Sequence, residues 1–154
     1  MVTIRHALPS DLDQLHVLEQ MCSQNPWTRG SLAAELDSPD SLFIVLDLPD
    51  ASSHSAQPES QLIGFACSRL IVDELQIFEV AVHPSHRNAG LGSILITHLS
   101  TLAAARGVTA ALLEVRLSNH SAIRLYEKCG FKRDGIRREY YGDGEDAALM
   151  SRAL

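Results

Sequence analysis

The order of apolar patterns along the chain predicts a mixed α/β fold, one sheet covered by helices on both faces. Segments of strand and helix periodicity follow one another as β-α-α-β-β-β-α-β-α-β-β, with no internal repeat. Some neighbouring strands are joined by hairpin turns and others by helices, so both kinds of strand pairing are expected in one sheet. The 154 residues, 45% apolar and 21% charged, suit a single globular domain over 1–154. A chain of this size buries roughly 70% of its unfolded surface and needs no metal or disulfide to fold.

Each element has its own signal. Thr3 to His6 reads as a short strand. Pro9-Ser10-Asp11 opens a helix to about Met21, with Leu12, Leu15, Val17, Leu18 and Met21 on or near one face. Asn25-Pro26 breaks it, and Thr28 caps a second helix from Arg29 to about Asp37. Leu42 to Asp47 is a strand. Leu48 to Gln61, rich in Pro, Ser, Asp and Gln, is expected as a long mobile hairpin loop. Leu62 to Val72 and Leu75 to Val82 are strands about the Asp73-Glu74 turn, the second ended by His83-Pro84. A long helix runs from Gly90 to Arg106, stopped by Gly107, with Leu91, Ile94, Leu95, Leu99 and Leu102 as its stripe. Thr109 to Leu117 is a strand, Asn119 to Cys129 a helix stopped by Gly130. Phe131 to Glu139 and Glu145 to Arg152 are the last two strands.

Composition excludes several classes. Thirteen basic against nineteen acidic residues give a net charge of −6, which argues against a phosphate-backbone binder and predicts no direct nucleic-acid partner. The longest apolar run, Leu42 to Leu46, has five residues, far short of the roughly twenty a membrane helix needs. The first residues lack the apolar core of a secretion signal. Cys22, Cys67 and Cys129 are widely spaced with no C-x-x-C, so no zinc site or disulfide framework is expected. No H-x-x-x-H pair suggests a metal either. A cytoplasmic location with reduced thiols and a monomer are the expectations.

The chemistry concentrates between a buried strand and a helix. Val80-Ala81-Val82 leads into Arg87-Asn88-Ala89-Gly90-Leu91-Gly92-Ser93. Glycines without a Cβ let a ligand approach closely, free N–H groups at a helix start favour an anion, and Arg87 adds a cationic fork. The segment lacks the Gly-Lys-Ser/Thr of a P-loop and the G-x-G-x-x-G of a dinucleotide fold. A glycine turn that merely permits tight packing is the alternative.

Arg87-x-x-Gly90-x-Gly92 after Val80-Ala81-Val82 resembles the acetyl-CoA motif of the GCN5-related N-acetyltransferases (GNAT), and the element order resembles that fold along nearly the whole chain. The resemblance implies a mostly antiparallel sheet with a central parallel pair that splays apart. It implies backbone binding of pantetheine along Val80, Ala81 and Val82, and a pyrophosphate held by Asn88 to Ser93 beside Arg87. Leu113-Glu114-Val115-Arg116-Leu117-Ser118-Asn119, Ala122 to Phe131, Pro26-Trp27 and Arg138-Glu139-Tyr140-Tyr141 are similar, within that superfamily, to the bacterial ribosomal-protein alanine N-acetyltransferases (RimI type). The acceptor implied is a protein amino terminus, namely the alanine that begins small-subunit ribosomal protein eighteen. Acetylation of lysine or a small amine, and a non-catalytic CoA-binding module, are the other readings.

Glu114 sits mid-strand, with Leu112 and Arg116 on its face. It is either a strand carboxylate paired with an arginine or, in partly dry surroundings, a general base. Tyr126 lies seven residues after Asn119, about 10 Å along a helix. It is either a core tyrosine or a phenol placed near a thioester sulfur while Asn119 holds the cofactor. The resemblance implies that Glu114 accepts the proton, Tyr126 donates one, and the Val82 N–H meets the carbonyl oxygen. Trp27, Tyr140 and Tyr141 would form a peptide groove, with Trp27 as a packing anchor the alternative. Glu79 is expected in a salt bridge; binding the substrate amine, or serving as an alternative base, is the other reading. His83 and His86 read as solvent-facing turn residues, with contact to a phosphate the alternative. No cysteine lies beside a base in the sequence, which disfavours a covalent acyl-enzyme.

Overall fold

The structure is a computed structural model that describes residues 1–50, 54, 56 and 60–154. Seven strands form one sheet: β1 (Thr3–His6), β2 (Ser41–Pro49), β3 (Ser60–Ile71), β4 (Glu74–Val82), β5 (Ala110–Arg116), β6 (Lys132–Arg137) and β7 (Ala147–Ala153). The helices are α1 (Leu12–Cys22), α2 (Arg29–Asp37), α3 (Leu91–Ala104) and α4 (His120–Lys128). The sheet order is β1-β2-β3-β4-β5-β7-β6. Every pair is antiparallel except β4–β5, which is parallel because α3 carries the chain across.

The two faces have separate cores. On one, Leu15 and Leu18 of α1 and Leu32 of α2 pack on Phe43, Val45, Phe65 and Ala81. On the other, Leu95, Ile96, Leu99 and Ala103 of α3 and Ile123 and Tyr126 of α4 pack on Ile44, Ile63, Leu75, Ile77 and Leu113. Helices on both faces and the mixed sheet are as expected. The expected stripes are buried at Leu15, Leu18, Leu95 and Leu99 but not throughout. Ile94 of α3 and Val17 and Met21 of α1 are exposed, because each stripe is rotated toward the residues that meet the sheet. One such residue of α1 is Glu19, fully buried.

The hairpin after β2 is also tighter than its composition suggests. Leu48 pairs with Gln61 and Pro49 with Ser60, so both strands run into the expected loop. Residues 51–53, 55 and 57–59 of the Leu48–Gln61 stretch lie outside the described residues. At the far edge, Phe131 is buried against Tyr126 and β6 stops at Arg137, shorter than the expected strand to Glu139, whose own φ is +51°. Among the described residues, no helix is long and apolar enough to cross a membrane.

One departure from regularity positions everything else. Cys67 pairs with Glu79 but Ser68 with Ile77, leaving Phe78 as an extra residue in β4. Such a bulge bends and twists its strand. The parallel ladder joins only Glu74–Ile77 to Ala110–Leu113 and ends where the bulge begins. β4 continues to Val82 against β3, β5 continues to Arg116 against β7, and a gap opens between them.

Candidate active site

The gap is lined by main chain. His83 N–H donates to Ile63 O, and antiparallel pairing alternates. Glu79, Ala81 and His83 therefore bond toward β3, whereas the N–H and C=O of Val80 and Val82 face the gap, where no strand lies opposite. The Val82 carbonyl accepts from Arg87 Nε at 3.0 Å and from the Cys22 thiol at 3.5 Å.

A cleft of about 570 Å³ follows this free edge to the start of α3, lined by Val80, Ala81, Val82, Arg87, Asn88, Gly90, Leu91, Gly92, Ser93 and Asn119. Ala89 is the one residue of the expected cradle that does not line it. Gly90 has φ +77° and caps α3, and Asn88 precedes it at φ +63°. The first intrahelical bond runs from Ile94 N–H to Gly90 O. The N–H groups of Leu91, Gly92 and Ser93 are thus left for a ligand, with the positive end of the helix dipole behind them. The two glycines have different reasons. Gly90 supplies the left-handed turn, while a Cβ on Gly92 would stand 2.8 Å from Leu125 Cδ2. At Gly92, tight packing of α3 on α4 is what the geometry requires.

A second cavity of about 600 Å³ lies on the other side of the gap, lined among others by Trp27, Phe78, Glu114, Arg116, Tyr126 and Tyr141. The two cavities share Cys22, Glu79, Val80, Asn119 and Ala122, which form a neck. Trp27 packs on Phe78, ring centroids 6.2 Å apart. Asn119 lines the neck while its Oδ1 accepts from Ala122 N–H at 3.2 Å as the N-cap of α4.

Glu114 is half-buried, paired with Arg137 Nη1 at 3.0 Å. It also accepts from Tyr140, whose phenol is raised mainly by that hydrogen bond. Tyr126 is almost wholly buried. Its phenol is pushed well above the ordinary range, first by burial and then by the facing charge of Glu79. Arg116 joins Asp143 at 2.8 Å and Glu145 at 3.0 Å and lies 4.1 Å from the Tyr141 ring centroid. Burial, the largest effect, raises the Tyr141 phenol.

Residues 12–131 match the model of the acetyltransferase (GNAT) family. The chain belongs to that family. It is 34% identical over 154 residues to the ribosomal protein bS18-alanine N-acetyltransferase of Escherichia coli (strain K12), across 98% of this chain and 97% of that protein. The Haemophilus influenzae protein of the same description is 33% identical over 145 residues, covering 92% of this chain and 91% of that one. The crystal structure of the E. coli enzyme superposes with a TM-score of 0.84, covering 100% of this chain and 94% of that one at 34% identity. Ard1 from Thermoplasma volcanium superposes at 0.86, with 26% identity, 99% of this chain and 97% of that one. The GNAT fold and an N-acetyltransferase activity of the RimI type, both expected from the motifs, are borne out.

Within this GNAT site, several sequence expectations change. Among the described residues Glu79 has no salt bridge; its partner is the buried carboxyl of Glu19, and burial, then that contact, pushes Glu79 up to about 9. Tyr140 does not line the acceptor cavity; it stands behind Glu114. Cys22, remote from any base in the sequence, sits in the neck beside Glu79. Its thiol is raised by burial and donates to Val82 O, so it stands protonated. His86, expected in solvent, lines the donor cleft, as do Ser121 and Lys128. No spacing rule connects residues 22, 79 and 119; the split of the sheet brings them together. Among the described residues there is no cluster of three or more groups able to hold a metal.

Proposed function

We propose that this chain transfers the acetyl group of acetyl-CoA directly to the α-amine of a protein amino terminus, with the alanine that begins ribosomal protein bS18 as its substrate. The observation that carries the reading is the neck: a free strand edge and an anion-binding helix start on one side, Glu114 and Tyr126 on the other. The residues present fit the donor. Val80 and Val82 offer unpaired amides to an extended pantetheine, as an added strand would. The N–H groups at the start of α3 suit a pyrophosphate, with Arg87 and Lys128 at the cleft adding positive charge. When bound, acetyl-CoA supplies an activated thioester carbonyl; binding, orientation and proton movement fall to the protein.

Glu114 Oε1, held by Arg137 and Tyr140, takes the proton from the acceptor nitrogen, directly or through one water. About a tenth of an α-amine is neutral at pH 7, against under a thousandth of a lysine, so a carboxylate of modest basicity is enough. The Val82 N–H lies along the free edge to receive the carbonyl oxygen. Tyr126 lines the same cavity, and its hydroxyl gives the sulfur its proton. Trp27 and Tyr141 wall the acceptor channel. The reduced, hydrogen-bonded Cys22 thiol fits direct transfer without an acyl-enzyme.

The test incubates the protein with acetyl-CoA and peptides that differ only in carrying a free α-amine or a free lysine. Fragment mass spectrometry then locates the acetyl group. Acetylation at the amino terminus of a peptide copying bS18 is the expected result; acetylation confined to lysine contradicts it.

A further inference from the structure

Glu19 is fully buried, and neither of its carboxyl oxygens meets an N–H or O–H donor of the protein. The polar group on it is the carboxyl of Glu79. Two carboxyl groups in hydrogen-bond contact need a proton between them, because two bare anions repel at that distance and neither offers a donor. Glu19 comes from α1 and Glu79 from the residue after the bulge, so the contact spans the face of the sheet just where β4 leaves β5. Glu79 lines both cavities at the neck; Glu19 is sealed behind it.

The surrounding charges do not neutralise the pair. Cys22 and Cys67 face it from α1 and β3, both thiols raised chiefly by burial. Glu35 on α2 is spent on Arg69. Arg87 is drawn to the Val82 carbonyl. Tyr126 faces the pair from α4, and Glu114 is tied to Arg137. Among the described residues no cation pairs with Glu19 or Glu79, and the proton stays.

We propose that Glu19 and Glu79 form one proton-sharing carboxyl pair that supplies, through Tyr126, the proton taken by the leaving sulfur, with Glu79 reaching the site and Glu19 the positioning residue behind it. The proposal rests on the reading of the neck as the place of acetyl transfer. As the nitrogen–carbon bond forms and the carbon–sulfur bond breaks, the nitrogen proton passes to Glu114. The sulfur keeps the bonding electron pair and takes the Tyr126 proton, and the pair's proton passes to the Tyr126 oxygen. No phenolate is left in a dry site facing a carboxylate, and the pair refills from solvent before the next turnover. The energetics suit it: a pair that gives up its proton near 9 is matched to a thiol of about 8.5, whereas a phenol raised above its usual value of about 10 is not.

The experiment follows thiol release with the amino-terminal peptide from about pH 5 to about pH 10 in wild type, Glu19→Gln, Glu79→Gln, Glu79→Asp and the double glutamine variant. In wild type, kcat falls as the pH passes about 9. Each single glutamine variant loses about 10²-fold in kcat, keeps KM within roughly twofold and loses that alkaline limb. The double variant loses no more than either single, as for groups acting as a unit. Glu79→Asp retains more of kcat than Glu79→Gln. A Glu79→Gln enzyme within roughly twofold of wild type, or one that keeps the same alkaline limb, overturns the proposal. A wild-type chain that releases no thiol with any amine overturns the reading of the site instead. Independently of activity, carboxyl-carbon NMR of the unliganded protein places the Glu79 midpoint near 9 and moves it down in Glu19→Gln; two ordinary carboxyl titrations overturn the pair.

Discussion

Glu114 and Tyr126 line one cavity but live in opposite surroundings. Glu114 is half exposed and held by a cation and a phenol; Tyr126 is buried. Replacing Glu114 with Gln keeps the shape and removes the proton acceptor, and Tyr126→Phe removes the hydroxyl and keeps the ring on Phe131. Each lowers kcat by about 10²–10⁴-fold, the range of general acid–base catalysis, with acetyl-CoA affinity by calorimetry unchanged; near-wild-type turnover in both removes their assignment. Far from the site, Arg5 holds β1 to the first turn, reaching Asp11 at 2.8 and 2.9 Å and Asp47 at 3.0 Å. Burial alone would raise the Asp11 carboxyl, but Arg5 and the Leu8 N–H outweigh it and hold it below the usual range. Arg5→Met leaves a buried carboxylate unpaired and costs about 2 kcal/mol. It reads as a lower denaturant midpoint at unchanged slope.

Two elements set the donor cleft, and their contact is a single methyl-sized space. Gly92 on α3 meets Leu125 on α4 with no room for a Cβ. Gly92→Ala forces the Leu125 side chain out of its place between the helix starts that hold Ser93 and Asn119. The net cost is about 1 kcal/mol, overpacking offset in part by the better helix former, together with weaker acetyl-CoA binding. Adding Leu125→Ala frees the space, so the double variant binds acetyl-CoA better than Gly92→Ala alone. A double-mutant cycle with no coupling contradicts the packing argument.

For the molecule as a whole, the Glu19–Glu79 contact couples folding to pH. An exposed glutamate ionises near 4.5, but Glu79 keeps its proton to about 9. Between those values the folded chain holds a proton that the unfolded chain has released. Its contribution to stability is therefore complete below about pH 4 and is lost as the pH climbs toward 9. The carboxylates held low, Asp11 among them, act in the opposite sense and only at acid pH. From about pH 5 to about pH 8 the melting temperature of wild type falls more steeply than that of Glu79→Gln. Parallel slopes in the two proteins contradict a stored proton.

Local periodicity was enough for the element order, the two-sided covering of the sheet and the cradle at Gly90, because strand and helix patterns, caps and left-handed turns are short-range properties of the chain. The stretch from Val80 to Ser93 was legible as an anion cradle for the same reason, whereas Glu114 and Tyr126 stood out only through the resemblance to the GNAT family, because a mid-strand carboxylate or a helix tyrosine has a packing role as ready as a catalytic one. The bulge at Phe78, the neck through Cys22 and Glu79, and the burial of Glu19 were not. A bulge is a mismatch between two strands that only pairing reveals. Which side of an amphipathic helix such as α1 faces inward, with Glu19 in and Val17 out, is decided by the sheet it meets. Tertiary packing alone put two carboxyl groups 60 residues apart in sequence against each other, in a site dry enough that Glu79 is pushed up to about 9.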